Sequence, residues 1–191
     1  GSRGQADSFT VTYSLGDLSG QKAGRYSGNI KYVVDGASIP DAGLIGTIRL
    51  EVENPRIFDL SITPQSGGRI EFRDLKPRQL PKSYEVLIKI NSNTGRQYQV
   101  SQMITSPLVN KEGLEMGEEY FTCRTVSDAS VKGNLKVLQS APLQKQANMT
   151  LFVSDSKGSG DTFKVIYELT PPPDVRAGDY STTLVYSLLE I

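Results

Sequence analysis

With 191 residues, the chain is long enough for one large domain, or for one domain and part of another. Lys and Arg together number 21, as do Asp and Glu, so the net charge of zero provides no overall basic field to attract nucleic acid or acidic lipid. The hydrophobic content of 37% fits a folded globular protein, and no apolar run is long enough to span a bilayer.

The first 36 residues predict a β-hairpin. Apolar residues alternate with polar ones at its start, which places them on one face of a strand: Phe9, Val11, Tyr13 and Leu15. A glycine-rich connection at residues 16–20 leads to residues 23–27 (Ala-Gly-Arg-Tyr-Ser), where a second strand begins. Glycine, proline and serine interrupt every regular pattern at residues 37–46, so we predict a linker there.

Residues 47–191 predict a separate domain that is rich in β-strands. Short alternating or β-branched segments recur between turns, at residues 48–52, 57–62, 69–72, 84–90, 98–102, 134–138 and 148–154. Residues 103–127 are less regular, and they carry no strand prediction. Because apolar residues nowhere recur at helical spacing over ten or more residues, we predict an all-β fold, specifically an immunoglobulin-like antiparallel β-sandwich.

The chain ends with a second copy of its opening hairpin. Residues near the end of the sequence match the residues 154 positions earlier without a gap. For example, Phe163 matches Phe9, and Gly178 matches Gly24. The match covers the strand at residues 163–169 and residues 177–181 (Ala-Gly-Asp-Tyr-Ser), and it extends to Tyr186. We therefore predict that residues 1–36 are the tail of a preceding homologous unit or a strand extension, packed on residues 47–191 or on a neighbouring molecule.

The tyrosine that follows Gly178 by two residues predicts a specific contact. In immunoglobulin-like domains such a tyrosine forms a corner, in which its hydroxyl bonds to nearby backbone. Tyr180 therefore predicts a corner at the start of the last strand, and Tyr26 stands at the matching position.

The sequence offers little for catalysis. It contains no histidine, which removes the commonest general base and zinc ligand. Cys123 consequently has no histidine to activate it, and we predict a buried structural thiol. Asp155 and Asp161 flank a turn that lacks the ligand spacing of a calcium loop. We predict no catalytic, cofactor-binding or metal-binding residue, and therefore no enzyme.

The order of these features resembles bacterial fimbrial subunits. The resemblance rests on residues 68–72 (Gly-Arg-Ile-Glu-Phe), the strand at residues 86–90, the Asn-rich turn and residues 98–101 (Tyr-Gln-Val-Ser). Residues 177–184 (Ala-Gly-Asp-Tyr-Ser-Thr-Thr-Leu) are similar to the last strand of pilin and spore-coat-U-like domains. The resemblance implies an immunoglobulin-like sandwich, export across a membrane and a role in a surface fibre or adhesin. Those families commonly carry a disulfide, which a chain with one cysteine cannot form internally.

Taken together, these features predict a non-enzymatic structural or adhesive module of an exported bacterial surface or fimbria-like protein, extracellular or periplasmic. It would act by strand-edge assembly with other copies or subunits, without a nucleic acid partner, a cofactor or a membrane span. The alternative is a glycan-binding accessory module of a cell-wall or carbohydrate-active protein, which would bind host or cell-wall glycan through exposed tyrosines at Tyr84, Tyr98 and Tyr120.

Overall fold

A computed structural model describes residues 10–18, 20–33, 44–63, 69–127 and 130–191. Within these ranges the protein is all-β, as predicted: it has thirteen strands, one 3-10 turn at Glu118–Tyr120 and no α-helix. The strands are β1 (Gly24–Val33), β2 (Leu44–Asn54), β3 (Phe58–Thr63), β4 (Arg69–Leu75), β5 (Lys82–Ser92), β6 (Tyr98–Ile104), β7 (Val109–Asn110), β8 (Phe121–Val126), β9 (Asn134–Leu135), β10 (Ala141–Pro142), β11 (Met149–Val153), β12 (Asp161–Leu169) and β13 (Gly178–Glu190).

Strands β3 to β13 form two antiparallel sheets, which we call the two-sheet body. The five-stranded sheet has the order β10-β8-β12-β5-β3. The six-stranded sheet has the order β4-β13-β6-β11-β9, and β7 also pairs with β13. β8 lies in the stretch for which the sequence predicts no strand.

The core of the body forms where side chains of the two sheets meet. Phe163 of β12 stacks on Phe152 of β11 with ring centroids 5.0 Å apart, and Phe72 of β4 meets Phe121 of β8 edge-on at 5.8 Å. Every second residue of β12 is buried from Phe163 onwards, as the alternating sequence predicts. Each large side chain buried in this way contributes about 1.5–3 kcal/mol.

The prediction that the chain ends in a hairpin is wrong. β12 pairs with β5 and β8 in one sheet, whereas β13 pairs with β4, β6 and β7 in the other. The connection between them contains Pro171-Pro172-Pro173, and it carries the chain from one sheet to the other. A hairpin would instead need a short turn of two to five residues. We call this pair of facing strands the C-terminal arch (residues 161–190).

The matching residues near the beginning of the chain share only part of this arrangement. Residues 10–18 form no strand, while β1 pairs with β2 along its whole length in a separate two-stranded sheet. We call residues 10–33 the N-terminal arch. Residues 1–9 and 34–43 lie outside the described residues, so the predicted strand at Phe9 and most of the predicted linker are not compared. The division into 1–36, 37–46 and 47–191 stays a prediction, although β2 begins at Leu44, inside the predicted linker.

Candidate assembly surface at the N-terminal arch

The two arches share a tyrosine corner. The Tyr26 hydroxyl donates to the Lys22 carbonyl oxygen at 2.7 Å, and the Tyr180 hydroxyl donates to the Arg176 carbonyl oxygen at 3.0 Å. Before each tyrosine stands a glycine with a φ near +150°, a conformation that other residues rarely adopt. The corner predicted at Tyr180 is therefore confirmed, and the same corner recurs at Tyr26.

A second hydrogen bond recurs between the two sides of each arch. In the C-terminal arch the hydroxyls of Tyr167 and Tyr186 lie 2.7 Å apart. The hydroxyls of Tyr13 and Tyr32 make the same contact in the N-terminal arch. The segment around Tyr13 thus faces β1 in the way that β12 faces β13.

Within the body, the tyrosine pair belongs to a buried polar network. The Tyr167 hydroxyl donates to Oε1 of Gln102, so the Tyr186 hydroxyl is the donor to Tyr167. Nε2 of Gln102 donates in turn to Sγ of Cys123 at 3.1 Å. Burial raises the pKa of both tyrosines well above the usual value, and it raises the pKa of Cys123 to about 11. Each of these groups therefore stays neutral in its hydrogen bond at neutral pH.

The N-terminal arch has no such cover among the described residues. Val165, Tyr167 and Leu169 are 0% exposed, whereas Val11, Tyr13 and Leu15, which match them, are 46%, 45% and 62% exposed. β1 pairs with β2 only, and residues 10–18 make no strand pairing. The arch therefore presents both apolar side chains and open backbone edges, a combination that favours pairing with another polypeptide.

An apolar recess runs beside this exposed segment. It has a volume of about 430 Å³, and its apolar lining consists of Leu15, Leu18, Tyr26, Leu50 and Val52. In the sheet register Tyr26 lies opposite Val52. β2 therefore continues the apolar surface that the arch begins.

Two asparagines hold the arch in place, Asn54 to β2 and Asn93 to the body. Asn54, at the end of β2, donates from its side chain to the carbonyl oxygens of Gln21 and Lys22, both at 3.0 Å. The Asn93 carbonyl oxygen accepts from the Ala23 amide at 2.8 Å. The Asn93 side chain also accepts from the Ile57 amide at 2.7 Å and donates to the Pro55 carbonyl oxygen at 2.9 Å. The arch thus contacts residues 47–191 through its turn, while its apolar face remains exposed.

The tyrosines named for glycan binding do not form an exposed row. Tyr98 is fully buried, and its hydroxyl donates to the Ser159 carbonyl oxygen at 2.7 Å. Tyr84 and Tyr120 are half-buried, and both pack against the core. Tyr98 therefore has no free face on which a sugar could stack.

The structure also locates the other candidate residues. Cys123 is buried, which confirms that prediction. The Asp155 carboxylate accepts from the amide and hydroxyl of Ser159, and the Asp161 carboxylate accepts from the amides of Lys132 and Gly133. Both carboxylates therefore hold loop backbone in place. The described ranges contain no group of three or more His, Cys, Asp or Glu residues placed to hold a metal ion.

Sequence reasoning missed Gln102, Asn54 and Asn93 as structural contacts. A signal existed for Gln102, since it occupies a buried-face position of an alternating strand, after Tyr98 and Val100. A polar residue at such a position predicts a buried hydrogen-bonding partner. The two asparagines gave no comparable signal, because their partners are backbone groups far away in the sequence.

Comparison of the chain with protein-family models, with curated proteins and with solved structures finds no significant match. None of the helical segments in the described ranges has the length and hydrophobicity of a membrane-spanning helix.

Proposed function

We propose that this protein is a non-enzymatic structural or adhesive module of an exported bacterial surface or fimbria-like assembly. It joins other copies or subunits through open strand edges, and its body is an immunoglobulin-like sandwich. Support for that architecture comes from the two tyrosine corners and from an arch that crosses between two antiparallel sheets. The resemblance of residues 177–184 to the last strand of pilin-like domains supports the assignment to a surface assembly.

One observation carries the proposal: the N-terminal arch exposes side chains whose counterparts in the C-terminal arch are buried. Val11, Tyr13 and Leu15 are exposed, while the identical residues of β12 lie in the core. Burying three such side chains is worth several kcal/mol, at about 25 cal/mol per Å² of apolar surface. A partner that covered them would gain this free energy together with the backbone hydrogen bonds of an open edge.

The absence of catalysis in this proposal rests on the side chains present. The sequence has no histidine, and the single thiol is buried with a raised pKa. A thiol of this kind reacts poorly as a nucleophile, since the thiolate is the reactive form.

The proposal is tested by photo-cross-linking in cells that make the natural full-length protein. A photoreactive amino acid replaces Leu15 in one variant and Leu80 in the other. Leu80 is a matched control, because it is 83% exposed but lies on a loop of the body. We expect adducts with further copies or sister subunits from position 15 and not from position 80. Absence of adducts at position 15, or equal yields at both positions, contradicts the proposed function.

A further inference from the structure

The C-terminal arch indicates which strands would be needed to bury the apolar face of the N-terminal arch. In the body, β12 lies between β5 and β8, and β13 pairs with β4, β6 and β7. These strands fill the edges of the C-terminal arch, Phe152 of β11 stacks on its Phe163, and β6 supplies Gln102 to the tyrosine pair. The surface complementary to such an arch is therefore the inside of a two-sheet body whose last two strands are missing.

The N-terminal arch retains the side chains that fit this surface. Val11, Tyr13 and Leu15 are identical to their counterparts in β12, and Ile30 stands where the buried Leu184 stands in β13. The Tyr13 and Tyr32 hydroxyls are already paired, as in the body. Within the described ranges, the arch lacks an acceptor in the position of Gln102 and strands beside residues 10–18.

The position of β2 limits what a partner has to supply. β2 already pairs with the whole of β1, from Gly24 opposite Asn54 to Val33 opposite Leu44. One edge of β1 is therefore filled within the chain. A partner would add one strand to the other edge of β1 and a strand on each side of residues 10–18.

We propose that the N-terminal arch closes a second two-sheet unit of the same kind, one that lacks its own closing arch and the strand whose place β2 takes beside β1. Residues 10–18 lie between strands equivalent to β5 and β8 of that unit, and Tyr13 donates to an amide equivalent to that of Gln102. This inference rests on the proposed function, and it names the partner of the same surface.

Two other occupants fit the observations less well. A second copy of this chain in its described state already holds its own C-terminal arch in that place, so an exchange would expose as much apolar surface as it buried. Two N-terminal arches packed on each other would leave both tyrosine pairs without an amide acceptor. Neither occupant uses all the features that the two arches share.

The fit is tested by a transplant within the full chain. Residues 163–187 are replaced by the equally long segment 9–33, which aligns without a gap. We expect one cooperative unfolding transition with a Tm lowered by roughly 5–15 °C. The decrease is expected because Gly28 replaces Thr182, whose hydroxyl donates to the Ser106 carbonyl oxygen at 2.6 Å, and because Gln21 replaces the buried Val175. The control is the same transplant with Val165→Ser and Leu169→Ser, which we expect to abolish cooperative unfolding. A transplant that does not fold, or a control that melts like the transplant, overturns the inference.

The partner is then identified from the cross-link at position 15. Its counterpart Leu169 pairs with Lys82 of β5 and with Phe121 of β8. Mass spectrometry of the adduct should therefore locate the link in a segment that resembles β5 or β8 within a unit of the same kind. A link to another N-terminal arch, or to an edge strand such as β3 of another subunit, overturns the inference but leaves the proposed function standing. A link to an unrelated protein overturns both. Absence of any adduct overturns both.

Discussion

The Tyr186 hydroxyl donates a hydrogen bond to the Tyr167 hydroxyl over 2.7 Å, and the two residues belong to different sheets. Because Tyr167 also donates to Gln102, the pair joins the two halves of the core through polar atoms that are shielded from water. The same bond between Tyr13 and Tyr32 lies at the surface. The chain thus contains the same tyrosine–tyrosine hydrogen bond in a buried and in an exposed environment. The contribution of this bond to the free energy of unfolding can therefore be compared directly.

Tyr167→Phe should destabilise the protein by about 1–3 kcal/mol, since it leaves a buried Gln102 oxygen without its donor. The matched control is Tyr13→Phe, for which we expect a change within about 0.5 kcal/mol at an exposed site. Urea denaturation of both variants measures the free energies of unfolding. Equal effects would mean that burial does not determine the contribution of this bond.

Cys123 should make stability depend on pH in the alkaline range. Its folded-state pKa is raised by burial to about 11, above the unfolded value of about 8.5. A raised folded-state pKa gives stability that is fully present below the unfolded pKa and is lost as pH rises towards 11. We expect the free energy of unfolding to fall between about pH 9 and pH 10, before the buried tyrosines contribute. Cys123→Ala should flatten this part of the profile, and an unchanged slope would exclude the thiol as its source.

Cys123 should also react slowly with a thiol reagent in the native state at pH 8. Burial both protects the sulfur and keeps it protonated. The rate is compared with that of the same protein in denaturant. Native labelling as fast as denatured labelling would show that the thiol is accessible.

Asn93→Ala should loosen the turn whose backbone carbonyl, that of Asn93, accepts the bond from the arch. The variant loses the side-chain bonds to Ile57 and Pro55, which we expect to cost about 1–3 kcal/mol. Hydrogen exchange should accelerate at the amides of Ala23 and Ile57. Asn91→Ala is the control, because its side chain bonds only to exposed Asp59. Similar exchange in the two variants would argue against Asn93 as the anchor.

Deletion of residues 1–54 should leave a folded body. The buried core residues all lie after residue 69, in or between the strands of the two sheets. We expect cooperative unfolding with a Tm lowered by only a few degrees, since the body loses the Ala23 bond to Asn93 and the Lys22 side chain beside Gly95. Deletion of residues 1–36 instead leaves β2 unpaired, and sedimentation should then detect association. A 1–54 deletion that unfolds would show that the arch belongs to the fold of the body.

Much of the fold could be predicted from the alternation of side chains. Strands β3 to β6 and β11 to β13 lie where the sequence indicates, and the tyrosine corner occurs at Tyr180. Alternation identifies a buried face, but it does not identify the neighbouring strand. For this reason the sequence could not distinguish a hairpin from an arch whose strands lie in different sheets.

The errors in the sequence reading have physical causes. β8 was missed because its inward-facing residues include Cys123 and Thr125, which are small or polar and give a weak hydrophobic signal. β2 was predicted too short because Gly46 interrupts its start. The candidate surface was only partly foreseeable: the repeat indicated that Val11, Tyr13 and Leu15 have buried counterparts, but their exposure depends on contacts that no local pattern encodes.

The register of β1 and β2 has a mechanical consequence. Gly24 lies opposite Asn54, so tension that reaches the body through the arch acts on adjacent residues at one end of the ladder. The pairs then open one at a time rather than all together, and residues 24–54 release about 100 Å of chain at roughly 3.4 Å per residue. Asn54 lies at the end that opens first, where its side chain holds the carbonyl oxygens of Gln21 and Lys22. We expect the Asn54 side chain to resist the opening of the first pairs. Asn54→Ala should therefore lower the force of the first extension step in single-molecule pulling.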